Sequence, residues 1–375
     1  MKFESLNTNN ADNTKSLMFL DDSGTTSIAR YDKVKYKVFD RLTEEHLSFF
    51  WRPEEINLLK DQKDYRDLQP NEQNIISLLL SRQIILDSEQ GRAPAISFAP
   101  LISIPELETW VMTWTFMETI HSKSYTHILR NVFSDPSIVF DKMMEIQNIV
   151  DCAKDISEHY DNLINYTQKY YFLGEGTHIV NGEEVIVSKY ELKKLLWLCL
   201  NSVNVLEGIR FYASFAVSFA FGELKKMEGN AKIIRFIARD EAIHLGSTQT
   251  LIKLLPKDDS DFEKIRDECK ESVLNIFQSA IIQEKQWADY LFKDGSIVGL
   301  NAKVLHDYVD FIAQSRMESI GIVPLKHKVN PLPWMHKWLN SKSVQVAPQE
   351  TEISSYRTSD AKLDVADGSF KGFIL

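Results

Sequence analysis

Glu118-Thr-Ile-His121 and Glu241-Ala-Ile-His244 are the stretches on which the reading of this chain turns. Each sets a carboxylate and an imidazole three residues apart. On an α-helix that interval puts both side chains on one face, about one turn apart. Two helices carrying Glu-x-x-His, joined by one further carboxylate from each of two more helices, make the ligand set of di-iron and di-manganese helical bundles. At this composition about one Glu-x-x-His is expected by chance, so a single match says little. A third copy, Glu175-Gly-Thr-His178, serves as an internal comparison. It lies between Gly174 and the Asn181-Gly182 pair; glycines disfavour helix and Asn-Gly signals a hairpin turn. Glu175 and His178 are therefore read as loop residues, and the other two pairs as metal ligands.

The remaining helices and carboxylates follow from apolar periodicity. A helix is predicted over 71–89, with Asp87 directly after the run Ile84-Ile85-Leu86, and with Gly91 and Pro94 ending it. Pro105 suits the first turn of the next helix, followed by Glu106 and Glu108, and the pattern continues to about Arg130. Tyr125 falls four residues past His121 and seven past Glu118, so the three share a face. A tyrosine so placed is ordinarily a core residue with its hydroxyl satisfied; alignment with two ligands makes it a redox candidate. Ser188 and Glu191 form a capping box opening a helix that carries Glu207, with Phe211 and Phe215 on the same face. The stretch 231–255 carries Asp240, Glu241 and His244. Further helices are predicted over 36–50, 135–172, 260–293 and 301–320, with a hairpin near 177–188.

The predicted ligand set is Asp87, Glu118, His121, Glu207, Glu241 and His244. Its four carboxylates balance two divalent cations. Without cations, buried carboxylates this close would cost several kcal/mol each or take up protons. Oxygen and nitrogen donors without thiolate suit iron or manganese rather than copper or structural zinc. The fold class expected is all-α: a ferritin-like di-metal helical bundle with extra helices and one small β-hairpin. The bland reading, six unrelated surface and capping residues, has no account of the paired spacing.

Composition agrees. Of 375 residues 44% are apolar, enough for a large core, and the net charge of −10 leaves no basic stripe for nucleic acid. Cys152, Cys199 and Cys269 lie far apart in sequence, which suits a reducing cytoplasm. Residues 1–30 are polar and read as a flexible arm without a secretory signal. The apolar stretch 195–221 is interrupted by Asn201, Asn204, Glu207 and Arg210, and reads as a central core helix, not a membrane span. The helical domain is expected over 31–339. Residues 340–375 form a polar tail containing Tyr356 and ending Phe370-Lys-Gly-Phe-Ile-Leu375, which reads as a docking peptide.

Beyond these patterns the chain resembles the small, radical-generating subunit of class I ribonucleotide reductase, most closely the bacterial and phage class Ia type. The resemblance runs from about Ala29 to the tail. It is carried by Leu47-Ser-Phe-Phe-Trp-Arg-Pro-Glu-Glu55, Leu101-Ile-Ser-Ile-Pro-Glu-Leu-Glu-Thr-Trp110, Glu118-Thr-Ile-His-Ser-Lys-Ser-Tyr-Thr-His127 and Ala238-Arg-Asp-Glu-Ala-Ile-His244. It implies a homodimer with two iron ions per chain at the six ligands, although manganese fits the same donors. It implies a tyrosyl radical at Tyr125, made when the reduced centre reacts with oxygen, in an apolar pocket of Phe211, Phe215 and Ile237. Trp51 and Asp240 match the positions that link His121 to an electron path. Tyr356 matches the tail tyrosine that hands the radical to the large subunit, where ribonucleotides are reduced. Met117 and Lys123 depart from the smaller residue and the Arg of the family pattern.

Two other classes use similar ligands. An oxygen-activating hydroxylase or desaturase would turn over small substrates without a large partner. An iron store of the ferritin kind would assemble into cages. Neither has a use for Tyr125 or Tyr356.

Overall fold

Local signals set several of the helix boundaries. The computed structural model describes residues 7–9, 12–323 and 329–340. Helix α1 (Lys37–Ser48) stops ahead of Pro53, which holds Arg52 extended. After α2 (Leu59–Asp67), α3 (Pro70–Gln90) opens with Pro70 at its first position, and Glu72 reaches back to the Gln69 N–H at 3.1 Å. A short α4 (Ala93–Phe98) turns the chain into α5 (Pro105–Val132). The stretch 135–172 divides into α6 (Ser137–Lys142) and α7 (Gln147–Leu173), because Ile146 between them is extended.

The strands β1 (Gly176–Val180) and β2 (Glu183–Val187) pair antiparallel, Gly176 opposite Val187. Asn181 and Gly182 turn between them with φ of +53° and +86°, the two positive values a type I′ turn requires. Glu175 is exposed and His178 half-buried at this hairpin, and neither lies within a helix; Glu175 accepts the Lys189 N–H at 2.8 Å at the start of the next helix. Then come α8 (Lys189–Val205), a π-helical turn (Leu206–Arg210) and α9 (Phe211–Glu223). They are followed by α10 (Glu228–Asp258), α11 (Ser260–Glu268), α12 (Lys270–Leu291), α13 (Ala302–Ser319) and α14 (Met335–Leu339). Cys269 breaks what periodicity alone reads as one helix over 260–293.

The continuous rod Lys189–Glu223 is long and apolar enough to cross a bilayer, yet its most apolar window is wholly buried in the protein. α7, α10 and α12 pack around α8, and α3, α10 and α13 around α9. A helix apolar on all sides is the centre of a large bundle. The arm expected to be loose is docked where described. Met18, Phe19 and Leu20 are buried, and Leu20 N–H donates to the Leu101 carbonyl at 2.8 Å. The four apolar residues Leu17–Leu20 in a polar stretch are too short a run for periodicity to register, but long enough for Phe19 to pair with Ile102. At the other end, Trp338 stacks on Phe219, ring centroids 4.8 Å apart.

The long α10 carries two of the predicted ligands, so its start matters. Asp61 of α2, buried, accepts the N–H groups of Gly229 at 3.0 Å and Asn230 at 2.8 Å. These are donors a helix cannot satisfy internally. A Cβ on Gly229 would lie 2.6 Å from the Asp61 Oδ2, so only glycine allows the approach. Asp61→Ala should lower the unfolding free energy by about 1–2 kcal/mol. Urea denaturation measures this, and an unchanged midpoint would show that the cap contributes nothing.

Candidate metal centre

Four segments of the bundle converge on one point. α3 contributes Asp87, α5 contributes Glu118 and His121, the π turn contributes Glu207, and α10 contributes Glu241 and His244; all six are fully buried. Their ligand atoms form two overlapping groups, each with its atoms within 4.8 Å of one another. One is Asp87, Glu118, His121 and Glu241; the other is Glu118, Glu207, Glu241 and His244. Glu118 and Glu241 belong to both, the arrangement of two cation positions bridged by two carboxylates.

The imidazoles face inward through Nδ1. His121 Nδ1 lies 3.0 Å from Glu118 Oε2 and 3.1 Å from Glu241 Oε1. His244 Nδ1 lies 2.9 Å from Glu118 Oε1 and 3.0 Å from Glu241 Oε2. Both oxygens of Asp87 and Glu207 Oε2 are buried with no hydrogen-bond partner among the described residues. Orphaned acceptors in a dry site are costly unless a proton or a cation sits among them. The donor set therefore fits a pair of hard or borderline cations such as iron or manganese.

A second layer of partners holds these ligands. His121 Nε2 lies 3.2 Å from Asp240 Oδ2, which also accepts the Trp51 indole N–H at 2.8 Å. The Arg239 guanidinium flanks the other oxygen of Asp240 at 3.1 Å. The spacing of residues left four further partners unread. Trp114 donates to Glu118 Oε1 at 2.8 Å, one turn before it on α5. Gln90 donates to Glu207 Oε1 at 2.7 Å and accepts the Tyr160 hydroxyl at 2.7 Å. His46 of α1 meets His244, Nε2 to Nε2, at 2.8 Å. Same-face spacing after Asp87 and before Glu118 was a usable signal for Gln90 and Trp114; none existed for His46 or Tyr160.

Charge divides unevenly among the six. Burial and the Glu118 charge push Asp87 well above the ordinary carboxyl range, and burial with the Glu241 charge does the same to Glu207. Burial and Glu241 also press Glu118 upward, but His244 and His121 outweigh them and hold it low. Glu241 is held low against burial by Glu207, His244 and His121. Burial disfavours charged imidazole, yet hydrogen bonds to Asp240, Glu118 and Glu241 push His121 well up, and the charges of Glu118 and Glu241 bring His244 to about 9. Asp240, despite burial, falls to about 2 through His121 and Arg239. Asp87, Glu207, His121 and His244 therefore all hold protons more tightly than they would in water.

Tyr125 is fully buried on the ligand-bearing face of α5; burial, the neighbouring Asp87 charge and the approach of that carboxylate to the hydroxyl push its phenol pKa well up. Phe211, Phe215 and Ile237 are fully buried, and the two phenylalanines stack with centroids 6.0 Å apart. The π turn was not legible in the sequence. It adds a residue between Glu207 and Phe211, shifting the face on which the aromatics project. Arg316 of α13 donates to the Gly208 carbonyl at 3.2 Å within this turn. Tyr356 lies outside the described residues.

Comparison with known proteins places the chain among similar sequences and folds. The model of the family "Ribonucleotide reductase, small chain" matches residues 29–331. The ribonucleoside-diphosphate reductase subunit beta of Buchnera aphidicola is 54% identical over 352 residues, covering 93% of this chain and 94% of that protein. Its counterpart from Haemophilus influenzae is 50% identical over 372 residues, covering 98% of each. Among solved structures, the ribonucleotide reductase R2 subunit from Clostridium botulinum superposes with a TM-score of 0.72 at 25% identity, covering 90% of this chain and 98% of that one.

Cations entering the cluster compete with protons at Asp87, Glu207, His121 and His244, whose proton affinities are all raised. Loading two divalent ions should therefore release protons, and affinity should rise with pH. Calorimetry in buffers of different ionisation enthalpy counts them, and release near zero would refute the charge assignment.

Proposed function

Because the chain belongs to the ribonucleotide reductase small-chain family, we propose that it holds two iron ions at the buried cluster and generates a radical on Tyr125. The chain is the small subunit of a ribonucleoside-diphosphate reductase, which works with a large subunit. The observation that carries the finer reading is the pair of overlapping ligand groups sharing Glu118 and Glu241, with a buried phenol on the same face of α5. Bound there, the metal pair supplies one-electron oxidising power drawn from dioxygen; manganese fits the same donors.

The protein's own part is to position and protect. The raised pKa of Tyr125 keeps the proton on its oxygen until an electron leaves, so oxidation and deprotonation are coupled. Phe211, Phe215 and Ile237 are assigned the shielding role, excluding water and reductants from an oxidised phenol. Asp240 fixes His121 and Trp51 on one oxygen, giving a continuous hydrogen-bonded path from the cluster to the indole. Tyr356 is proposed as the exit of the radical, and the tail from 340 as the segment that docks on the large subunit. There the radical drives reduction of ribonucleotides to deoxyribonucleotides for DNA synthesis.

We assign a homodimer as the working state. Met112 and Phe116, one turn apart on α5, are 47% and 51% exposed, and Ile96 on α4 is 53% exposed; large exposed apolar side chains of this kind suit contact with a second copy. Three buried free cysteines support a reducing, cytoplasmic setting.

Aerobic iron loading should give a tyrosyl radical signal by electron paramagnetic resonance. Tyr125→Phe should abolish that signal and keep the metal; a variant with the same radical would exclude Tyr125. Tyr356→Phe should keep the Tyr125 radical and bring nucleotide reduction with the large subunit to background. Full turnover by that variant would remove Tyr356 from the path.

A further inference from the structure

We propose that His46 fixes the metal-binding form of His244 by accepting its outer proton, which makes it a positioning residue for one of the two cation positions. The proposal rests on the reading of the buried cluster as a metal centre.

His46 Nε2 and His244 Nε2 are 2.8 Å apart, and both rings are fully buried. Two ring nitrogens at that distance share one proton, since two N–H groups or two lone pairs would repel. The other nitrogen of His244, Nδ1, faces Glu118 and Glu241 at 2.9 and 3.0 Å, inside a group able to hold a cation. A neutral imidazole that binds a cation through Nδ1 carries its hydrogen on Nε2. That N–H therefore donates to His46 Nε2. His46 must then keep its own hydrogen on Nδ1, an atom with no hydrogen-bond partner among the described residues.

Packing holds His46 in this role. Its ring lies between Trp110, centroids 5.8 Å apart, and His244, centroids 4.9 Å apart. It sits on α1, which packs on both α5 and α10. The arrangement mirrors the other position, where Asp240 takes the outer proton of His121. The two acceptors differ in kind: a carboxylate backs His121, whereas a second imidazole backs His244. Partners of this sort orient a ligating ring and raise its basicity.

The test uses the full-length protein as wild type, His46→Gln and His46→Leu, loaded anaerobically with manganese(II). Affinity is read by calorimetry and by release to a chelator, and occupancy of each position by anomalous scattering from crystals. His46→Leu should lose about 10–100-fold in affinity at the Glu118, Glu207, Glu241 and His244 position while the His121 position stays filled. His46→Gln offers an amide oxygen to the same proton and should restore wild-type binding. Wild-type affinity in His46→Leu, or equal weakness in His46→Gln, would overturn the proposal. A measurement needing no variant guards against misfolding. In zinc-loaded, nitrogen-15-labelled wild type, long-range proton–nitrogen correlations should show His46 protonated at Nδ1 and bare at Nε2; the reverse tautomer overturns it. If the wild type itself binds no metal, the reading of the centre fails instead, which separates the two outcomes.

Discussion

Glu118 and Glu241 each lie within about hydrogen-bonding distance of the same two imidazoles, in a place solvent does not reach. Asp87 completes one of the two overlapping ligand groups and Glu207 the other. Carboxylates so near one another repel strongly where little water screens them. The cluster is tolerable only if protons or cations neutralise it, and the bundle is built to keep it together. The apolar rod of α8, the π turn and α9 supplies Glu207 from the middle of the core, where backbone movement is most restricted.

Outward from the cluster, each ligand is held by something that is itself held. Glu118 is fixed by Trp114, and Glu207 by Gln90 and, through it, Tyr160. His121 is fixed by Asp240, which Arg239 and Trp51 fix in turn, while the Arg239 guanidinium lies over the rings of Phe49 and Phe236. Such chains make ligand geometry a property of the whole core. They also explain the aromatic density around the centre: indoles donate a single hydrogen bond while filling the space water would otherwise enter.

Legibility of the site from sequence followed the range of the interaction. Residues on one helix are tied by a fixed rise and turn, so Glu118 with His121, and Glu241 with His244, could be paired by counting. Asp87 and Glu207 could be placed on helices, but only the demand for further carboxylates singled them out. Partners across helices left no trace: His46 comes 198 positions before His244, and no periodicity relates them. The π turn was equally hidden, since a one-residue insertion in a helix leaves the apolar pattern of a fully buried segment unchanged.

The sequence alone determined that this is a helical bundle with two Glu-x-x-His faces, a hairpin at Asn181-Gly182 and a core rod too interrupted by polar groups to be a membrane span. These are local matters, settled by spacing, caps and turn residues within a few positions of one another. Tertiary structure alone decided that Glu118 and Glu241 belong to both ligand groups, that both imidazoles turn Nδ1 inward, and that His244 is backed by another histidine where His121 is backed by an aspartate. Those outcomes depend on how separate helices rotate against one another, and rotation is set by the packing of the entire core.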